Sequence, residues 1–175
     1  DRDIKRVLVT SADRGDGRTT VAINLAAALA RAKHKALVVD CDLRRPRLHR
    51  IFDRVGDAGL TNVLVGEATI DEVAQPTVVD NLWCVPSGPI PPNPADTLHS
   101  DSFKKFITDL GDRFDRVILD SPPLVAVTDS DSATLTLTKA AFSPARAIPS
   151  AAAPRSTSHP RAPSSPARSA PPRPS

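Results

Sequence analysis

Eight residues, Ala12-Asp13-Arg14-Gly15-Asp16-Gly17-Arg18-Thr19, constrain what this chain can fold into more than any other stretch. Before them, Arg6-Val7-Leu8-Val9-Thr10 reads as a short buried strand. After them, Thr19 to Ala32 is apolar on nearly every face (Val21, Ile23, Leu25, Leu29 and six alanines), which predicts a helix packed against a sheet. The octet fits the pattern Gly/Ala-x-x-x-x-Gly-Lys-Ser/Thr at every position but one. Glycines let backbone amides turn inward around phosphate oxygens, and the N-terminus of the following helix adds partial positive charge. A hydroxyl, here Thr19, suits a Mg²⁺ ion. The expectation is therefore a phosphate-binding loop, with Asp13, Arg14, Gly15, Asp16, Gly17, Arg18, Thr19 and Thr20 around ATP.

The exception is Arg18, where the pattern has lysine. Lysine is a compact point charge, whereas guanidinium is planar and larger. Arginine keeps the charge but tracks a moving phosphoryl group less well, so binding with weakened transfer is expected.

Further strands follow at Ala36–Asp40, Leu82–Val85 and Arg116–Asp120, with helices at Leu60–Val65, at Thr69–Ala74 and from Ser100 through Phe103, Phe106, Ile107 and Leu110. Thr69 and Glu72 form a capping-box signature. Strands alternating with helices imply an α/β fold, a parallel sheet of the P-loop type with helices on both faces. Ligands of such sheets bind beyond the carboxyl ends of the strands. Asp40 and Asp120 end two of these strands. Asp40 and Asp42 stand two apart, and in extended backbone their side chains would point the same way. One could then hold Mg²⁺ while the other accepts a proton from an attacking hydroxyl. Asp120, closing Val117-Ile118-Leu119-Asp120, is placed to reach the same metal.

Composition divides the chain. Half of its 18 prolines lie in Pro144–Pro174, and no acidic residue follows Asp131. The formal charge of +3 is supplied by Lys139 and five later arginines, which leaves the first 138 residues net acidic. A nucleic-acid partner is not expected, because no basic face with interleaved aromatics exists. The expectation is a P-loop domain over 1–138 and a disordered Pro/Ala/Ser/Arg-rich tail over 139–175. Cys41 and Cys84 lack metal-ligand spacing and read as small buried hydrophobes. No apolar run approaches a membrane span, so a cytoplasmic setting is expected.

Four segments resemble one family: Ser11–Thr20, Val38–His49 (VVDCDLRRPRLH), Ser87–Leu98 (SGPIPPNPADTL) and Arg116–Leu124 (RVILDSPPL), with Val127-Thr128-Asp129 beyond. Together they are similar to the catalytic domain of bacterial tyrosine kinases of capsular and exopolysaccharide biosynthesis, from about residue 5 to 135. The segment Gly-x-x-Pro-Pro-Asn-Pro at Gly88–Pro94 is its most specific part.

The resemblance implies ATP-dependent phosphorylation of protein tyrosines. It implies Thr19, Asp42 and Asp120 as Mg²⁺ ligands, Asp40 as base, and Arg44 near the phosphates or at a subunit contact. It also implies a membrane-embedded polysaccharide co-polymerase or adaptor as partner, placing the chain at the inner face of the membrane. The chain holds no tyrosine, so phosphorylation is expected in trans. The family's N-terminal assembly helix has no counterpart, which bears on oligomer formation. Beyond about Leu137 the family continues with a strand where this chain is Pro/Ala/Ser/Arg-rich, so an incomplete sheet is expected, as from a truncation or frameshift.

Two alternatives stay open. One is an ATPase switch of the plasmid-partition or cell-division class (ParA/MinD-like). Its second lysine would fall at Asp13, and its absence favours the kinase branch. The other is a catalytically inactive nucleotide-binding remnant.

Overall fold

Short runs of β-branched and apolar residues become strands here, the central ones covered on both faces. The computed structural model describes residues 4–54 and 56–123, all within one unit, Asp1–Ala145. The tail at 139–175 and the segment Val127-Thr128-Asp129 lie outside the described residues.

The sheet has five strands: β1 (Arg6–Val9), β2 (Ala36–Asp40), β3 (Gln75–Pro76), β4 (Leu82–Val85) and β5 (Arg116–Asp120). Their order is β1-β5-β2-β4-β3. All neighbours pair in parallel except β3 with β4, which are antiparallel. The four longer strands were expected, and β3 was not. Two residues give no periodicity to read, and Pro76, which lacks an N–H, is tolerated because β3 is at the sheet edge.

The helices are α1 (Arg18–Arg31), α2 (Leu48–Ile51), α3 (Leu60–Val65), α4 (Ile70–Val73), α5 (Pro94–His99) and α6 (Asp101–Arg113). Successive residues of each strand face opposite sides of the sheet. On one side Leu37, Val39, Val85, Val117 and Leu119 pack with Leu60, Phe103, Phe106, Ile107 and Leu110. On the other, Ala36, Val38, Cys84 and Ile118 meet Ala22, Ala26 and Ala30 of α1. The alanines let α1 approach the strands closely, and all three are essentially inaccessible.

The expected caps form. The Ser100 hydroxyl accepts the Phe103 amide at 3.1 Å and starts α6. The Thr69 amide donates to the Glu72 carboxylate at 2.7 Å at the head of α4. Cys41 and Cys84 are buried free thiols. Burial pushes the thiol of Cys84 up to about 11 and that of Cys41 well above its ordinary value.

Topology positions the site. Because β5 inserts between β1 and β2, Val9 pairs with Asp120 and Asp120 with Asp40. Ladder bonds run past the strand ends, with the Cys41 amide donating to the Asp120 carbonyl and the Ser121 amide to that of Val9. The loop after β1 and the carboxyl ends of β2 and β5 are therefore side by side.

Candidate nucleotide site

Gly15 (φ 91°) and Gly17 (φ 74°) both take the left-handed conformation, which bends the loop between β1 and α1. A Cβ at either would meet nothing within 4 Å, so glycine is required here for its backbone angle and not for space. Gly17 caps α1, and the first turn of that helix carries no acid. The helix thus presents an uncompensated positive end.

Beside this end lies an open cavity of about 250 Å³. Its walls include Arg14, Gly15, Gly17, Arg18, Thr19 and Thr20 from the loop, Asp42 and Arg44 after β2, and Pro122 and Pro123 after β5. Arg45 and Arg47 also line it, and sequence reasoning missed both. Their signal was present in the run Arg44-Arg45-Pro46-Arg47, four residues past a strand end. Five arginines against one lining carboxylate make an anion site, of a size for a polyphosphate chain.

Asp13 and Asp16 shape the loop and are not among the lining residues. The Asp13 amide donates to the Asp16 carboxylate at 2.9 Å, and the Ser11 hydroxyl to the Asp13 carbonyl at 2.8 Å. The strand stops at Asp40, and Asp40 and Asp42 bond different partners. Asp40 is 1% exposed and spends its oxygens on backbone. Oδ1 accepts the Asp42 amide at 3.2 Å, while Oδ2 accepts the amides of Arg47 at 2.8 Å and Leu48 at 2.9 Å. It pins the arginine run and starts α2. Burial raises its carboxyl to about 7, against the pull of the Leu48 and Arg47 amides.

Asp42 and Asp120 meet the loop through one side chain. Arg18 Nη2 donates to Asp42 Oδ2 at 2.7 Å, and Arg18 Nε to Asp120 Oδ1 at 3.0 Å. The Arg18 side chain is 11% exposed, that of Asp120 2%. The other oxygen of Asp42 accepts the Arg45 amide at 3.2 Å. Thr19 hydrogen-bonds Asp120. Burial still holds the Asp120 carboxyl above its ordinary value, outweighing Thr19 and Arg18. The three groups expected around Mg²⁺ are thus brought together but already satisfied by protein donors. Among the described residues no cluster of three or more His, Cys, Asp or Glu is arranged to hold a metal ion. As arranged, the donor set does not fit Mg²⁺.

The Gly88–Pro94 segment is not among the walls of this cavity. Just before it, the Pro86 and Ser87 carbonyls accept the amides of Leu60 and Thr61 at 2.8 and 2.9 Å and cap α3. Asn93 precedes Pro94, the first residue of α5.

A parallel sheet, a left-handed glycine loop on a helix N-terminus and acids at the adjoining strand ends define a P-loop nucleotide-binding domain. The model of the family described as AAA domain matches residues 5–137, and the chain belongs to that family. Its relatives place it in the bacterial tyrosine-kinase branch. It is 40% identical over 130 residues to tyrosine-protein kinase YwqD of Bacillus subtilis, covering 74% of this chain and 55% of that protein. The solved kinase domain of Escherichia coli tyrosine kinase ETK superposes with a TM-score of 0.73 at 30% identity, covering 79% of this chain and 52% of that one. The cell-division protein MinD of Pyrococcus horikoshii, solved with Mg-ADP, matches less well, with a TM-score of 0.62 at 25% identity over 75% of this chain and 54% of that one. The chain thus spans about half the length of each of these three. No helix among the described residues is long and apolar enough to cross a membrane.

Proposed function

We propose that this chain is the nucleotide-binding part of a tyrosine kinase of capsular or exopolysaccharide biosynthesis, and that its cavity takes the phosphates of ATP. The observation that carries this reading is the convergence of the left-handed loop, the positive end of α1 and five arginines on one cavity beside the ends of β2 and β5. Loop amides and the helix end hold the phosphates by directed hydrogen bonds. Arg14, Arg44, Arg45 and Arg47 neutralise charge at the cavity wall.

The phosphoryl acceptor is a tyrosine outside these 175 residues, which contain none. Asp42 is the one carboxylate lining the cavity, and so the one placed toward an incoming hydroxyl. Arg18 occupies an oxygen of that carboxylate, so phosphoryl transfer is weak relative to binding. The base role expected for Asp40 has little support, since both its oxygens are bound to backbone amides.

The motif resemblance extends this proposal to work at the inner face of a membrane beside a membrane-embedded partner. Incubating the full chain with labelled ATP and a tyrosine-bearing polypeptide tests transfer. Label on tyrosine supports the kinase reading, and saturable ATP binding without label identifies an inactive nucleotide-binding relative. Absence of both removes the reading.

A further inference from the structure

The geometry points to Arg18 as the resident cation of this site: its guanidinium stands between Asp42 and Asp120 where a divalent ion would sit, so the cavity takes its nucleoside polyphosphate free of metal. The second half of this inference rests on the nucleotide reading above. The first half does not.

Two different nitrogens of Arg18 serve two different carboxylates, at 2.7 Å to Asp42 and 3.0 Å to Asp120. A guanidinium can do this because its donors are fixed in a planar fork. A lysine ammonium in the same place is one point charge on a flexible stem, free to leave the acids for a phosphate. The fork is also shielded, with the three side chains 11%, 10% and 2% exposed. Charge-assisted hydrogen bonds of this kind are among the strongest that a protein makes.

Mg²⁺ needs oxygen ligands at about 2.0–2.1 Å in octahedral array. To provide them, Asp42 and Asp120 would have to release Arg18, leaving its charge beside the incoming ion. The other oxygen of Asp42 is held by the Arg45 amide, and Asp120 has the Thr19 hydroxyl. The remaining cavity supplies what a metal supplies to a polyphosphate, namely positive charge, through Arg14, Arg44, Arg45, Arg47 and the end of α1.

The test uses the full chain and Mn²⁺ as the metal, read by electron paramagnetic resonance without nucleotide. The wild-type chain is expected to leave millimolar Mn²⁺ free, whereas Arg18→Ala, which frees the acid pair, gains a saturable site. Arg18→Lys, which keeps the charge but lacks the fixed fork that holds both acids, covers the case in which the alanine variant does not fold. It is expected to bind Mn²⁺ measurably. In parallel, ADP binding by calorimetry is expected to change by less than about twofold between EDTA and Mg²⁺ buffers, the signature of no coupling between the two ligands. Saturable Mn²⁺ binding by the wild-type chain that Asp120→Asn abolishes overturns the inference. So does a tightening of ADP by more than about tenfold in Mg²⁺. If ADP binds in neither buffer, the nucleotide reading fails, and the Mn²⁺ result alone decides the role of Arg18.

Discussion

Arg18, on the first turn of α1, and Asp120, at the end of β5, are 102 residues apart in sequence and meet through Nε and Oδ1 at 3.0 Å. The contact joins the phosphate loop to the middle of the sheet, since β5 pairs with both β1 and β2. Removing one partner of a buried pair leaves the other charge uncompensated, at a cost of about 3–5 kcal/mol. Asp120→Ala leaves Arg18 with Asp42 as its partner, so it is predicted to destabilise the chain by less than that. Asp42→Ala is predicted to cost less, because its side chain is 10% exposed against 2% for Asp120. Urea unfolding of both variants checks the ranking, and equal losses would contradict it.

Gly15 and Gly17 predict separable effects on folding and on binding. An alanine forced into the left-handed region costs about 1–2 kcal/mol. Nothing within 4 Å obstructs the added carbon, so stability should fall by no more than this at either position. Both residues line the cavity, so nucleotide affinity should fall further than stability does. Calorimetry beside chemical unfolding separates the two, and a Gly17→Ala chain that binds ATP as the parent does would count against the loop's role.

Asp40 predicts an unusual pH dependence. Its carboxyl lies near 7 in the fold, against 3.8 for the ordinary group. Between these values it is protonated when folded and ionised when unfolded, so folding takes up a proton. Stability is then highest below the lower value and falls as pH rises through the window, by at most about 1.4 kcal/mol per unit for one proton. Asp120, also raised by burial, acts with the same sign. Thermal unfolding across the window should show a falling midpoint, flattened in Asp40→Asn, and a midpoint that climbs would refute the assignment.

Gly59 and Gly88 make the case for the Gly88–Pro94 segment as scaffold. A Cβ on Gly59 would overlap the Pro86 carbonyl and the Gly88 amide nitrogen, all backbone atoms that cannot give way. A Cβ on Gly88, at φ 77°, would lie 2.5 Å from the Thr61 hydroxyl. Gly59→Ala is predicted to lower stability by more than Gly15→Ala. Gly59→Ala and Gly88→Ala should keep whatever nucleotide affinity their folded fraction allows, as read by calorimetry corrected for the unfolded population.

Local pattern carried most of the frame into view. The loop, the four longer strands, the helix begun by Ser100 and the Thr69 capping box all follow from spacing within about a dozen residues. What escaped depends on partners far along the chain or on very short elements. α2 has four residues and is started by Asp40, eight positions before its first residue's amide. β3 exists only because β4 is beside it. Asp40 looked like a partner of Asp42 because the amides that donate to it, at Arg47 and Leu48, come round only once the chain turns. Arg18 was legible as a departure from lysine, but its acids sit 24 and 102 residues away, and only the strand order places them together.

Calorimetric titration of the full chain with ATP, in buffer with a chelator and with the Gly17→Ala chain alongside, tests the central claim most directly. The cavity between the glycine loop and the ends of β2 and β5 predicts one saturable site per chain, with weaker affinity in the variant. A folded chain that releases no binding heat, or one whose affinity is indifferent to Gly17, would contradict it.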